Sequence, residues 1–154
     1  ANQYYDQCAA EYFGSTVDVD MAPIHQRFLA RLKPRAHILD AGCGSGRDAR
    51  TFVDAGFQVT AFDASAELAR LASSHCGFEV KVQRFEDVDE VEAFDGIWCC
   101  ASLLHVPLTA MPSTLDRLWR ALRPGGTLYV SFKHGTGERL QGERRFTDAD
   151  EATL

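Results

Sequence analysis

The densest chemistry lies in Asp40-Ala41-Gly42-Cys43-Gly44-Ser45-Gly46, where a carboxylate precedes three glycines at alternate positions. Glycines in such a run let the backbone turn tightly and approach a ligand with no Cβ in the way. Dinucleotide sites use a related loop, G-x-G-x-x-G, to seat a pyrophosphate on a helix N-terminus. Here the third glycine of that pattern would fall at Arg47, whose bulk does not suit close packing. Asp40 also ends the segment before the loop, where its charge repels a pyrophosphate and attracts an ammonium or a sulfonium. The sign of the charge favours a ligand with a cationic end. About twenty residues on, Asp63 closes Val59-Thr60-Ala61-Phe62, at the distance from which a carboxylate accepts hydrogen bonds from both ribose hydroxyls of an adenosine. That placement fits a nicotinamide dinucleotide equally well, and the other role open to Asp63 is to cap the next helix in competition with Ser65.

A further cluster is Cys99-Cys100-Ala101-Ser102-Leu103-Leu104-His105, at the end of an apolar run and expected to face the rest of the ligand and its reaction partner. His105 has the residue type of a general base, since imidazole titrates near neutral pH. A histidine lining a pocket or bonded to a backbone carbonyl is the equally open alternative. His25, His37, His75 and His134 lack partners at ligand spacing, so no metal site is expected. The cysteines, Cys8, Cys43, Cys76, Cys99 and Cys100, are odd in number and include no C-x-x-C pair. Reduced thiols and a cytoplasmic location are the expectation.

These groups need a scaffold, and helical and strand periods alternate along the chain. Met21 to Lys33 carries Ile24, Phe28 and Leu32 at four-residue spacing and stops before Pro34, which predicts an amphipathic helix. Strands are predicted at His37 to Ala41, Val59 to Phe62, Phe78 to Gln83, Phe94 to Cys100 and Thr127 to Phe132. Helices are predicted at Arg47 to Ala55, ended by Gly56, and at Ala66 to Ser74, capped by Ser65. Another carries Leu115, Leu118, Trp119 and Leu122 and ends before Pro124. Such alternation means a mainly parallel α/β sheet covered on both faces. With 154 residues, 45% of them apolar, the chain is expected to form one domain. A net charge of −6 argues against an extended nucleic-acid surface and for a small substrate. The longest mainly apolar stretch, near Gly96 to Leu104, is too short to span a bilayer.

The run Ile38 to Gly46, with Asp63, Phe94-Asp95-Gly96-Ile97 and Leu122-Arg123-Pro124-Gly125-Gly126, resembles motifs I, II, IV and V of class I S-adenosylmethionine (SAM)-dependent methyltransferases. The resemblance extends from about Tyr4 to Phe146 and points to small bacterial methyltransferase-domain proteins related to the tellurite-resistance group. It implies a Rossmann-like α/β fold and a SAM site drawn from Asp40, Ala41, Gly42, Cys43, Gly44, Gly46, Asp63, Ala64 and Cys99, with adenine near Phe85 and Glu86. Relatives often carry an acidic residue where Arg84 stands, so the adenine contacts depart from the pattern. In related enzymes an N-terminal segment acts as a lid, a role that falls here on residues 1–34 with Tyr5 and Tyr12, and Arg27 would bind the SAM carboxylate. Residues 35–132 would form the core. Amino-methylation of DNA is disfavoured because the Asn-Pro-Pro-Tyr type motif is lacking after the fourth strand. The implied activity is methyl transfer to a small molecule, with an NAD-dependent oxidoreductase and a non-catalytic SAM-binding protein as alternatives.

The family sheet has seven strands, the last two an antiparallel hairpin beside the fifth, whereas only five can be read here. Residues 133–154 therefore read as the start of an incomplete C-terminal part, with Thr147-Asp148-Ala149-Asp150 as a helix start. The fifth strand is expected to be an unpaired apolar edge unless missing strands or a second copy cover it, so monomer and homodimer are both open.

Overall fold

The computed structural model describes residues 21–132 and the strand Glu143–Asp148. Tyr5 and Tyr12, like most of the expected lid, lie outside the described residues.

Helix α1 spans Ala22–Leu29, with a proline in its first turn where the missing N–H costs nothing. It tightens into i→i+3 bonds through Leu32, short of the expected end at Lys33. Strand β1 (His37–Ala41) follows, then helix α2 (Arg47–Asp54), β2 (Gln58–Asp63), helix α3 (Ala66–Cys76) and β3 (Lys81–Val82). After a single 3₁₀ turn at Phe85–Asp87 come β4 (Phe94–Cys100), helix α4 (Met111–Ala121), β5 (Leu122–Phe132) and β6 (Glu143–Asp148).

The sheet order is β3-β2-β1-β4-β5-β6, parallel throughout except for β6. The α/β reading holds. The chain lays β1, β2 and β3 outward in one direction, then returns to place β4 on the other side of β1. That reversal opens a crevice at the carboxyl ends of β1 and β4, where ligands bind in such sheets.

Side chains alternate faces along each strand. Leu39, Ile97, Cys99, Leu128 and Val130 meet α4 through Leu118 and Ala121 on one side. Ile38, Trp98 and Tyr129 meet Phe28 of α1 and Phe52 of α2 on the other, with Trp98 stacked on Tyr129 at 4.1 Å between centroids. Gly96 lets α1 approach the sheet, since a Cβ there would lie 2.9 Å from the Phe28 ring.

Three expectations are corrected. The third strand pairs only at Lys81 and Val82, because the Val80 N–H is taken by Ser73 Oγ of α3 at 2.9 Å rather than by β2. Thr147 and Asp148 do not start a helix. They belong to β6, opposite Leu128 and Thr127, so the β5 edge expected to be bare is paired by an antiparallel strand. One antiparallel strand thus stands where the family carries two, and among the described residues no other follows.

Candidate functional site

The glycine loop is held by β2. The backbone N–H groups of Gly42 and Cys43 both donate to Phe62 O, at 3.0 and 2.9 Å, and the Gly44 N–H donates to Asp63 Oδ2 at 2.8 Å. Asp63 Oδ1 accepts from the Ser65 N–H at 2.9 Å. Ser65 itself caps α3, accepting from the Leu68 N–H. The competition between the two residues is resolved: Ser65 has the cap, and Asp63 braces the loop while facing the cleft.

Gly42 has φ +73°, and a Cβ on it would lie 2.6 Å from Ser102 Cβ. Ser102 follows β4 and donates from Oγ to Ala41 O at 2.8 Å, closing one loop against the other. Ala101, just before it, sits at φ +55°, a left-handed conformation costly for a residue with a Cβ. Its N–H is anchored by Ser131, through both the backbone oxygen and Oγ. Strain held this way is typical of functional loops.

Between these loops lies a cleft of about 180 Å³, walled by Gly42, Gly44, Asp63, Phe85, Ser102 and His105. Ala64 and Glu86 also line it. Phe85 is set edge-on against Phe62, with centroids 5.4 Å apart, and offers a flat apolar wall. His105 stands at the rim, where partial burial lowers its pKa from the ordinary imidazole value. The neutral imidazole is therefore favoured near pH 7.

A smaller cavity of about 30 Å³ adjoins the cleft, walled by Asp40, Gly42, Cys43, Arg47, Asp48 and Cys100. Behind it Asp48 is fully engaged. Its Oδ1 meets His25 Nε2 at 2.7 Å and Arg47 Nε at 2.8 Å, and its Oδ2 accepts from Arg47 Nη2 and Trp98 Nε1, both at 2.9 Å. Burial works to raise the Asp48 pKa, but the hydrogen bonds from His25 and Arg47 outweigh it and hold the group at about 2. Asp40 is different. It is 2% exposed, and its Oδ2 has no partner among the described residues.

The structure brings Asp40, Gly42, Cys43, Gly44, Asp63, Ala64, Phe85, Glu86 and His105 together around the two cavities. Four expectations are revised. Cys99 is fully buried against the α4 side, and Cys100, one residue on and therefore on the opposite face, lines both cavities. Ala41 is fully buried and contributes only its carbonyl. Gly46 lines neither cavity. At φ +84° it starts α2, and its missing Cβ lets Cys76 and Ala72 of α3 approach. Arg27 is exposed and lines neither cavity, because α1 turns His25 and Phe28 inward and places Arg27 between them on the outer face.

Sequence reasoning placed Cys100 and Ser102 in the segment facing the ligand without singling out either, and it missed the pair Arg47-Asp48 as site residues. An acidic residue in the first turn after a glycine loop is a usual helix-start signal and hides the second role of Asp48. His25, set aside for want of nearby partners, finds one 23 residues away in sequence.

Residues 38–126 match the methyltransferase domain family, more than half of the chain. The chain is 40% identical over 111 residues to the ubiquinone biosynthesis O-methyltransferase of Xanthomonas axonopodis pv. citri, covering 66% of this chain and 45% of that protein. It is 34% identical over 118 residues to the enzyme of the same name from Xylella fastidiosa, covering 71% and 47%. It thus spans about half the length of the curated relatives it matches. Among solved structures it superposes on the Burkholderia thailandensis 1,6-didemethyltoxoflavin-N1-methyltransferase, crystallised with 1,6-didemethyltoxoflavin and S-adenosylhomocysteine (SAH), with a TM-score of 0.71 and 29% identity over 95% of this chain and 70% of that one. A TehB-like SAM-dependent methyltransferase of Corynebacterium glutamicum shares the fold, with a TM-score of 0.70 at 22% identity over 90% of this chain and 76% of that one. With its motif-bearing loops gathered at the switch point of a 3-2-1-4-5 sheet, and with this match across its core, the chain belongs to the methyltransferase domain family of class I SAM-dependent methyltransferases.

Proposed function

We propose that the chain binds SAM across the two cavities and transfers its methyl group to a small-molecule acceptor. The observation that carries this reading is the joining of two features in one crevice. Asp63 and the glycine loop offer a place for a ribose, and the adjoining cavity holds a buried carboxylate with an oxygen lacking any partner. Asp63 and Gly44 would hold the adenosine, Phe85 would pack on its base, and Asp40 would face the ammonium end. A dinucleotide fits less well, because its pyrophosphate would meet the Asp40 carboxyl across the loop.

When bound, SAM supplies a methyl group on a sulfonium that needs no further activation. The protein's task is to hold the acceptor in line and exclude water, and such positioning contributes roughly 7 to 11 kcal/mol of barrier lowering in well-oriented systems. His105, neutral at the rim, would act as the base that takes the proton of an acceptor hydroxyl or amine. Two matched proteins bear names for different acceptor atoms, an O-methyltransferase and an N1-methyltransferase, both of small molecules. This supports a small nucleophilic acceptor for this chain.

The alternative reading, a SAM-binding protein without methyl transfer, would use the same two cavities. Calorimetry with SAH, then radiolabelled SAM with phenols, amines, thiols and metalloid oxyanions, separates the readings. Saturable SAH binding with label transferred to at least one class is expected. Binding without transfer to any class would establish the non-catalytic alternative, and absence of binding would remove the cofactor assignment.

A further inference from the structure

We propose that the Asp40 cavity admits the ligand's ammonium in exchange for a proton, so that Asp40 selects nucleosides bearing a cationic end and cofactor binding is proton-linked. The proposal rests on the SAM-binding reading and concerns the charge state of the site before the ligand arrives.

The geometry shows a cavity short of one cation. Two carboxyls, Asp40 and Asp48, stand on the wall of a space of about 30 Å³, room for a water or one ammonium. The guanidinium at that wall is directed at the other carboxyl, since Arg47 Nε and Nη2 both donate to Asp48, and Nη2 also contacts Cys100 Sγ at 3.7 Å. His25, reaching in from α1, is also directed at Asp48. Asp40 is left 2% exposed with Oδ2 unpartnered. An ionised carboxylate in that position would carry an uncompensated buried charge, and such groups take up a proton instead.

Every charged or titratable neighbour points the same way in sum. Burial is the largest influence raising the Asp40 pKa well above the usual carboxylate range, and the Asp48 charge is the next. Arg47 and the Ala49 backbone N–H act in the opposite direction, and Asp63, from β2, adds to the rise. The remaining neighbours are thiols that burial keeps protonated: Cys43 in the loop, Cys76 on α3, and Cys99 and Cys100 on β4.

The step balances simply. The neutral Asp40 carboxyl loses its proton to solvent, and the resulting carboxylate pairs with the incoming ammonium, which keeps its own three protons. A nucleoside without the amino-acid tail leaves Asp40 neutral and releases nothing from it. His105 and Asp63 line the larger cleft and not the Asp40 cavity, so the quantity that reports on Asp40 is the difference between the two ligands.

The test is calorimetry of SAH and of adenosine, each in two buffers of different ionisation enthalpy, from about pH 5 to about pH 7, where an α-ammonium stays protonated. SAH should release close to one proton more than adenosine at the acid end, and SAH affinity should climb by up to about tenfold per pH unit wherever that extra release persists, while adenosine affinity stays level. Asp40→Asn should bind SAH more weakly and without the extra proton. The wild-type measurement decides the matter alone if that variant does not fold. Equal proton counts for SAH and adenosine would overturn the proton exchange and leave the cofactor assignment standing. Failure of SAH to bind at all would remove both.

Discussion

Asp63 braces two backbone N–H groups with one carboxylate, and the consequences of removing it follow from its bonds. It fixes the Gly44 N–H and the Ser65 N–H at the cleft wall, and it faces the position a ribose would take. Asp63→Ala should weaken SAH binding by roughly 1.5 to 3 kcal/mol, the scale of a hydrogen bond to a charged group; unchanged affinity in calorimetry would remove Asp63 from the ligand site. His105 sits at the rim with its pKa lowered by partial burial. As the base it acts when neutral, so the rate should rise with pH through an apparent value below that of a free imidazole and stay level above it. His105→Gln should then lower turnover by about 10² and erase that pH step, with SAH affinity nearly intact. Near-normal turnover would reduce His105 to a wall residue. Asp48 governs stability instead. Its folded-state pKa is depressed to about 2, so it contributes stability above the ordinary carboxylate range, and that contribution is lost as pH falls from about 4 toward 2. Asp48→Asn should lower stability at pH 7 by on the order of 3 kcal/mol and flatten the acid limb of a denaturation series. An unchanged acid limb would show that another carboxyl governs it.

At the scale of elements, the site depends on how closely α2 and α3 pack. Gly46 makes that contact possible, since a Cβ there would lie 2.8 Å from Cys76 Sγ and 3.0 Å from Ala72 Cβ. Gly56, also at positive φ, has nothing within 4 Å. The two glycines therefore separate backbone strain from crowding. Gly56→Ala should cost about 1 to 2 kcal/mol, the left-handed penalty alone. Gly46→Ala should cost that plus about 1 to 3 kcal/mol of overpacking. Equal losses in chemical denaturation would mean that α3 yields freely. The link between α1 and the site runs through His25 and Asp48, which ties the first described helix to the start of α2 beside the glycine loop.

For the whole molecule, β6 decides the fate of the sheet edge. It pairs with β5 from Thr127↔Asp148 to Phe132↔Glu143, covering a strand whose Leu128, Tyr129 and Val130 are buried. An edge of that kind without its partner templates pairing with another chain. A chain ended before Glu143 should self-associate with concentration in size-exclusion chromatography with mass detection, whereas the chain with β6 should not gain mass through that edge. A shortened form that stays monomeric would show that the edge is protected otherwise. No helix among the described residues is long and apolar enough to cross a membrane.

Local residue order was enough to determine the α/β class, the strands His37 to Ala41 and Phe94 to Cys100, and the glycine loop with Asp40 and Asp63. Alternation of apolar periods, glycine chemistry and fixed spacing are all short-range properties. Tertiary structure alone decided that Ser102 closes on Gly42, that Cys100 rather than Cys99 lines the site, and that Arg27 turns outward. It also decided that Asp48 is buried by His25, Arg47 and Trp98, and that Thr147 extends a strand instead of starting a helix. Each of these depends on which face an element presents or on a partner far away in sequence, and a buried charge acquires its state only from groups that folding brings around it. That is why Asp40 could be read from the sequence as a carboxylate awaiting a cation, but that its Oδ2 is left without a partner could be seen only once Arg47 was found bonded to Asp48.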